Sequence, residues 1–286
     1  MKFDIYQVIT DRIIELLEAG AVPWRRPWKD GEPPQNLLTR KPYRGVNAFL
    51  LNASILPSPF WLSMRQVNAA GGTVRKGEKA HPVVFWKLRD IEKAEDEKQK
   101  RVPFLRYYNV FNVSQCDNLP PTLVPKPARD FEPLERCESV VANMPRRPEI
   151  LPHAQCASYS PVDDKVYMPD RMLFDSSEGY YTTLFHELTH ATGHKSRLAR
   201  KEVIEAHRFG SEPYSREELV AEMGAAFLSG YCGIEQKTVS MSAGYIQSWL
   251  NRLRDDRKLV IFAAAQAQRA CDFIRCINVS STGDAV

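Results

Sequence analysis

No stretch of the 286 residues is apolar for long enough to cross a bilayer as a helix, so no membrane-spanning segment is expected. The first residues, Met1-Lys-Phe-Asp-Ile-Tyr-Gln7, lack the apolar core of a secretory signal, so export is not expected either. The six cysteines form no C-x-x-C pair, and the nearest two are Cys271 and Cys276. That scatter argues against a disulfide framework and against zinc held by thiolates, and for reduced thiols in a cytoplasm. The G-x-x-x-x-G-K-[ST] spacing of a phosphate-binding loop is missing, and nucleotide binding is not inferred. There is no C2H2 finger, RNP motif or basic zipper, so sequence-specific reading of a nucleic acid is not supported. No internal repeat, low-complexity tail or heptad seam is present, and a monomer is the default expectation.

What is present is a composition suited to one large or two ordinary soluble domains, with 43% hydrophobic and 26% charged residues. The net charge of +4 is unevenly spread. Residues 1–125 carry 19 Lys+Arg against 13 Asp+Glu, whereas residues 126–286 carry 20 against 22. A basic first half points to a polyanionic partner for that half.

The chain is organised around Tyr180-Tyr-Thr-Thr-Leu-Phe-His-Glu-Leu-Thr-His-Ala-Thr-Gly-His194. His186, Glu187 and His190 form an H-E-x-x-H motif. Residues four apart share a helix face, so both imidazoles can address one ion. Zn2+ accepts neutral imidazole nitrogens and keeps an open position in catalytic sites, with Mn2+ or a similar divalent ion as the alternative. Glu187, next to the first ligand, is placed to act as general base. Leu184, Leu188 and Ala191 supply an apolar side, and Gly193 is a natural stop.

Upstream, residues 3–19 read as an amphipathic helix closed by Gly20 and Pro23. Pro23-Trp-Arg-Arg-Pro-Trp28 brackets two arginines with two tryptophans. Either the indoles stack on bases and the guanidinium groups meet phosphates, or the tryptophans pack the loop onto the core. Basic residues return with an aromatic in Thr39-Arg-Lys-Pro-Tyr-Arg-Gly-Val-Asn47, and again in the glycine-punctuated loop 71–79. Trp24, Arg25, Arg26, Trp28, Lys41, Tyr43, Arg44, Arg75, Lys76 and Lys79 are therefore the candidate contacts to a single-stranded nucleic acid. Short helices are expected at Ala48–Ala53 and Trp61–Ala70. A strand at Pro82–Lys87 should return at Val102–Val113, with the charged run Glu92–Arg101 as the hairpin tip. Five prolines between Leu119 and Pro133 mark a connector, dividing the chain into 1–125 and 126–286.

The second half should open with a helix, Pro133–Met144, followed by a hairpin of Ala157–Ser160 and Lys165–Met168 turning near Asp163-Asp164. Residues 242–277 read as one long or two consecutive helices. Between lies Ser215-Arg-Glu-Glu-Leu-Val-Ala-Glu-Met-Gly-Ala-Ala-Phe-Leu228, where Ser215 and Glu218 match a capping box. Glu218 and Glu222 share a face; one is expected to ligate the metal and the other to orient a ligand histidine. The fold class is α+β: N-terminal helices around a small antiparallel sheet, then a mainly helical domain with a short sheet.

Taken together, Pro23–Trp28, Tyr43-Arg-Gly-Val-Asn47, Gly71–Lys79, Tyr108-Asn-Val-Phe-Asn112, Phe185–His190 and Glu217–Glu222 make the chain resemble the ArdC family of plasmid antirestriction proteins. Its first half is also similar to TraC-type plasmid primases. The resemblance implies a single-stranded DNA-binding domain joined to a zincin-like metallopeptidase domain that acts on an unidentified protein substrate. It implies a cytoplasmic protein of a bacterial host cell that protects incoming plasmid DNA from restriction. The E-x-x-x-[DE] helix resembles that of gluzincins, which favours Glu218 as third ligand with Glu222 as the alternative. Ser196 stands where a metzincin needs its third histidine, and His194 should swing off the metal face. Two other functions share this layout: a non-proteolytic coat for single strands with a structural metal, and a DNA-dependent protease of the SprT-like sort.

Overall fold

The computed structural model describes residues 4–19, 22, 24, 33–54, 56–91, 100–120, 123, 133–153, 156–205, 212–234 and 243–277. In chain order these form α1 (Ile5–Glu18), β1 (Gln35–Asn36), α2 (Val46–Asn52), β2 (Phe60–Ser63), α3 (Met64–Ala69), β3 (Thr73–Val74), β4 (His81–Ile91), β5 (Lys100–Asn112) and β6 (Cys116–Asp117). The second half supplies α4 (Pro133–Ala142), β7 (Glu149–Pro152), β8 (Ser158–Ser160), β9 (Lys165–Met168), α5 (Ser177–Thr192), α6 (Lys201–Ile204), α7 (Glu212–Cys232), α8 (Ala243–Asp255) and α9 (Leu259–Ile274). The class is α+β, as expected. No helix among the described residues is long and apolar enough to cross a membrane.

The main sheet has the order β1-β2-β5-β4. It is mixed rather than antiparallel, because the two-residue β1 runs parallel to β2. β4 and β5 pair antiparallel from His81↔Val110 to Ile91↔Lys100, far beyond the short partner β2. The helix expected over Trp61–Ala70 is instead split. Phe60, Trp61 and Leu62 form an internal strand, and Ser63 caps α3 in a capping box with Gln66. A short apolar run buried on both faces carries no periodicity to separate helix from strand. In the second half, β9 lies between parallel β7 and antiparallel β8, the latter pair being the expected hairpin, with Asp164 at φ 53° in its turn. The span 242–277 resolves into α8 and α9.

One apolar cluster joins the two halves. Ile9, Ile13 and Leu17 of α1 and Phe49 of α2 belong to the same buried set as Phe185 of α5, Phe227 of α7 and Leu253 of α8. Phe49 and Phe227 stack with ring centroids 4.5 Å apart. Polar ties reinforce the junction: Thr10 Oγ1 donates to the Arg257 carbonyl (2.7 Å), and Arg254 pairs with Glu18 (2.6 Å). Helices α5, α7 and α9 form the centre on which the first half rests, and α5 with α7 carries the site below.

Candidate metal centre

Ser176 starts α5, its side chain accepting from the Gly179 amide at 3.2 Å. The helix then buries Leu184, Phe185, Leu188 and Ala191, which turns His186 and His190 toward α7. It stops at Gly193, and packing explains the residue: a Cβ there would come within 2.4 Å of Val203 Cγ2. The approach of α5 to α7 needs a second glycine. A Cβ on Gly224 would lie 2.5 Å from Thr189 Cγ2 and 2.6 Å from its Oγ1.

At this crossing the two imidazole Nε2 atoms lie 3.1 Å apart. Glu218 reaches them from α7, one carboxylate oxygen 3.5 Å from His186 Nε2 and the other 3.6 Å from His190 Nε2. A small divalent ion bound tetrahedrally at about 2.0–2.1 Å holds its ligand atoms about 3.3 Å apart. The three donors therefore fit such an ion, and they form the only such His/Cys/Asp/Glu group found among the described residues. Glu187, the residue between the ligands in the motif, is buried at 8% exposure.

The support behind His190 is a carboxylate that the sequence reading did not single out. Glu217 Oε1 accepts from His190 Nδ1 at 3.1 Å, which leaves the Nε2 lone pair for a metal. Glu217 is held in turn by Arg200, whose Nη1 also donates to Thr192 Oγ1 (2.6 Å) and whose Nη2 donates to the Thr189 carbonyl (2.8 Å). Burial pushes the Glu217 carboxyl up, but the Arg200 charge and hydrogen bonds and the His190 contact outweigh it and hold it below its ordinary range. Burial pulls the His190 imidazole down, and the Glu217 hydrogen bond with the charges of Glu217, Glu218 and Glu187 more than reverses this.

Glu222, expected either to ligate or to orient a ligand, instead accepts from Trp24 Nε1 at 3.2 Å. Ser215 is not a cap. Helix α7 begins at Glu212, so Ser215 is already inside it and buried, and the S-x-x-E pattern has no helix start to serve. His194 turns to Ser196 Oγ (2.8 Å) and lies 3.6 Å from Asp164.

A family model described as a zincin-like metallopeptidase matches residues 135–267, and one described as the N-terminal domain of the anti-restriction factor ArdC matches residues 3–111. The antirestriction ArdC protein of plasmid R388, solved metal-free and with Mn(II), is 37% identical. The metal-free form superposes with a TM-score of 0.77 over 96% of this chain and 97% of that one. The chain belongs to the ArdC family of antirestriction proteins. Similar too are a DNA primase TraC of Escherichia coli (35% identity over 96% of this chain) and the y4eC protein of Sinorhizobium fredii (36% identity, 95% of this chain and 91% of that one). This ArdC-family chain spans only 27% of that primase, about a quarter of its length.

The candidate DNA contacts fall into three groups in this ArdC-family fold. Arg25, Arg26 and Trp28 lie outside the described residues. Trp24 and Arg44 are committed to the interior junction. Trp24 is 0% exposed, edge-on to Trp249 with ring centroids 6.1 Å apart, which removes it as a stacking surface for bases. Arg44 pairs with Asp272 of α9. The rest of its motif serves folding as well: Gly45 adopts φ 56°, and buried Asn47 clamps both Val84 backbone groups at 2.7 Å. Tyr43 is partly buried against the cluster of Trp61, Val83 and Val110. Arg75 pairs with Glu78 (2.8 Å) and Asp117 (3.4 Å), while Lys41, Lys76 and Lys79 are exposed.

Proposed function

We propose that this antirestriction protein binds single-stranded DNA through its first half and carries in its second half a metallopeptidase centre of His186, His190 and Glu218, with Glu187 as general base. Together these would protect incoming plasmid DNA from host restriction during conjugation. The observation that carries the reading is the convergence of the two Nε2 atoms with the Glu218 carboxylate, backed by the buried Glu217–Arg200 pair.

The proposed ion is Zn2+, and the Mn(II)-bound R388 relative makes Mn2+ the first alternative to load. When bound, such an ion lowers the pKa of a coordinated water and polarises a substrate carbonyl. The chain's own contribution is proton handling and orientation. Glu187 accepts the proton of the attacking water and returns it to the leaving amine nitrogen. Glu217 keeps the proton of His190 on Nδ1, and Arg200 keeps Glu217 charged and in place.

The deciding experiment compares Glu187→Gln with the parent in protecting incoming DNA in a restricting host, after metal content and DNA affinity are shown to be equal. Loss of protection is expected. Full protection by the variant would remove proteolysis from the mechanism and favour the second reading, a single-strand coat with a structural metal. That reading is motivated by the excess of basic residues in the first half.

A further inference from the structure

The β4–β5 hairpin extends well beyond the sheet that anchors it. β5 pairs with β2 only at Val110, Phe111 and Asn112, whereas its pairing with β4 continues to Ile91↔Lys100. From Val83 to Ile91 the two-stranded ribbon runs roughly 26 Å at ~3.3 Å per residue. Strand alternation separates its two sides. The side of Val84 and Leu105 faces the main core. The other side is covered at its base, where Val83 (1% exposed) and Val110 (0%) pack with Leu51 and Trp61.

Beyond Val83 that second side comes into solvent and changes character. Phe85 is 37% exposed and Tyr108 42%, and their rings are diagonal neighbours at 5.7 Å. Arg106, also exposed, sits directly opposite Phe85 in the register. Exposed rings flanking a guanidinium group complement a polyanion that offers unpaired flat bases.

We propose that this side of the ribbon is the stacking surface for single-stranded DNA: Phe85 and Tyr108 each take a base, and Arg106 takes a phosphate between them. The assignment deepens the single-strand reading above and rests on it. A duplex is the poorer fit, because its bases are already stacked on one another and offer no free face to these rings. A peptide added as an extra strand is also disfavoured here, since Asn47 already occupies the outward amide and carbonyl of Val84 on the edge strand β4.

The test uses the full chain and a fluorescent oligo-dT, with a duplex of mixed sequence in parallel. Phe85→Leu and Tyr108→Leu keep apolar bulk but lose the ring, and each is expected to weaken oligo-dT binding roughly 5- to 100-fold. Phe85→Tyr and Tyr108→Phe keep a ring and should retain parental affinity. Arg106→Ala should flatten the dependence of log affinity on log salt by about 0.7. Thermal midpoints equal to the parent's establish that each variant is folded. Unchanged oligo-dT binding in folded ring-loss variants, with the loss appearing instead in Lys76→Ala/Lys79→Ala, would overturn the ribbon assignment and leave single-strand binding intact. A parent that does not bind oligo-dT at all would overturn both. Equal parental affinity for the duplex, lost in the same variants, would overturn the choice of single strands.

Discussion

Arg200 holds Glu217 at two points, Nε to Oε2 at 2.9 Å and Nη2 to Oε1 at 2.6 Å, with the side chains only 3% and 7% exposed. A buried pair of this kind repays its desolvation only when geometry is good and the remaining polar atoms are satisfied. Both conditions hold here, because Glu217 also receives His190 and Arg200 also reaches Thr189 and Thr192. The pair fixes which His190 nitrogen carries the proton, so a structural interaction is tied directly to the candidate metal centre.

Removing either member should therefore give different signatures. Arg200→Ala leaves a buried carboxylate unpaired and is expected to cost about 3–5 kcal/mol of stability, read by denaturant unfolding of the metal-free protein. Glu217→Gln keeps a hydrogen-bond acceptor but loses the charge behind His190, and metal affinity should fall about 10- to 100-fold. Competition with a chromophoric chelator measures it. Parental affinity in Glu217→Gln would show that His190 needs no such support.

Metal uptake should depend on pH in a defined direction. In the metal-free protein His190 titrates above its ordinary value of 6.5. A proton on Nε2 competes with the ion, so affinity should rise with pH and still be rising above the ordinary imidazole value of 6.5. The sign for metal-free stability is opposite: the His190 contribution is complete below the unfolded-state pKa and is lost as pH rises through the raised folded value. The depressed Glu217 contributes above its unfolded-state pKa and is lost as pH falls through its folded value. Chelator competition above pH 6.5 checks the metal sign, and unfolding midpoints from acid through mildly alkaline pH check the two stability signs.

The two glutamates one turn apart on α7 should separate cleanly. Glu218→Ala is expected to abolish stoichiometric Zn2+ or Mn2+ binding, as His186→Ala should. Glu222→Gln should bind metal like the parent, since its carboxylate is engaged by Trp24. The reverse pattern would make Glu222 the ligand.

Trp24→Leu should act on stability rather than on DNA. The indole is fully buried, so truncation is expected to cost about 3 kcal/mol through lost burial, an imperfectly filled cavity and the lost donor to Glu222. Single-strand affinity should match the parent's at temperatures where the variant is folded. A selective loss of DNA binding without loss of stability would restore Trp24 as a contact.

The close crossing of α5 and α7 can be tested at Gly224. Alanine there should destabilise by about 1–3 kcal/mol by forcing Thr189 aside, and Thr189→Ala in the same chain should recover much of it. Additive losses in the double variant would show that the crossing tolerates the extra carbon in some other way.

Much of this protein was set by local chemistry and so could be read from the chain itself. A repeat of four places His186 above His190 whatever the rest of the molecule does. Amphipathic spacing, β-branched and aromatic enrichment and turn residues likewise point to α1, the β4–β5 and β8–β9 hairpins and α9, because these signals are local to each element. What the tertiary structure decided is every choice between neighbours that local pattern leaves equal. Glu217, Glu218 and Glu222 lie on one helix, and only the approach of α5, of Arg200 and of Trp24 places one behind His190, one beside both imidazole Nε2 atoms and one on the Trp24 indole. Trp24 and Arg44 looked like nucleic-acid contacts by composition, yet α8 and α9 bury one and pair the other. Phe85, Arg106 and Tyr108 looked like ordinary strand residues until the register set them side by side beyond the end of the core. Residue type and spacing are properties of the chain, whereas burial, partner and exposed face depend on segments distant in sequence and exist only once those segments have packed.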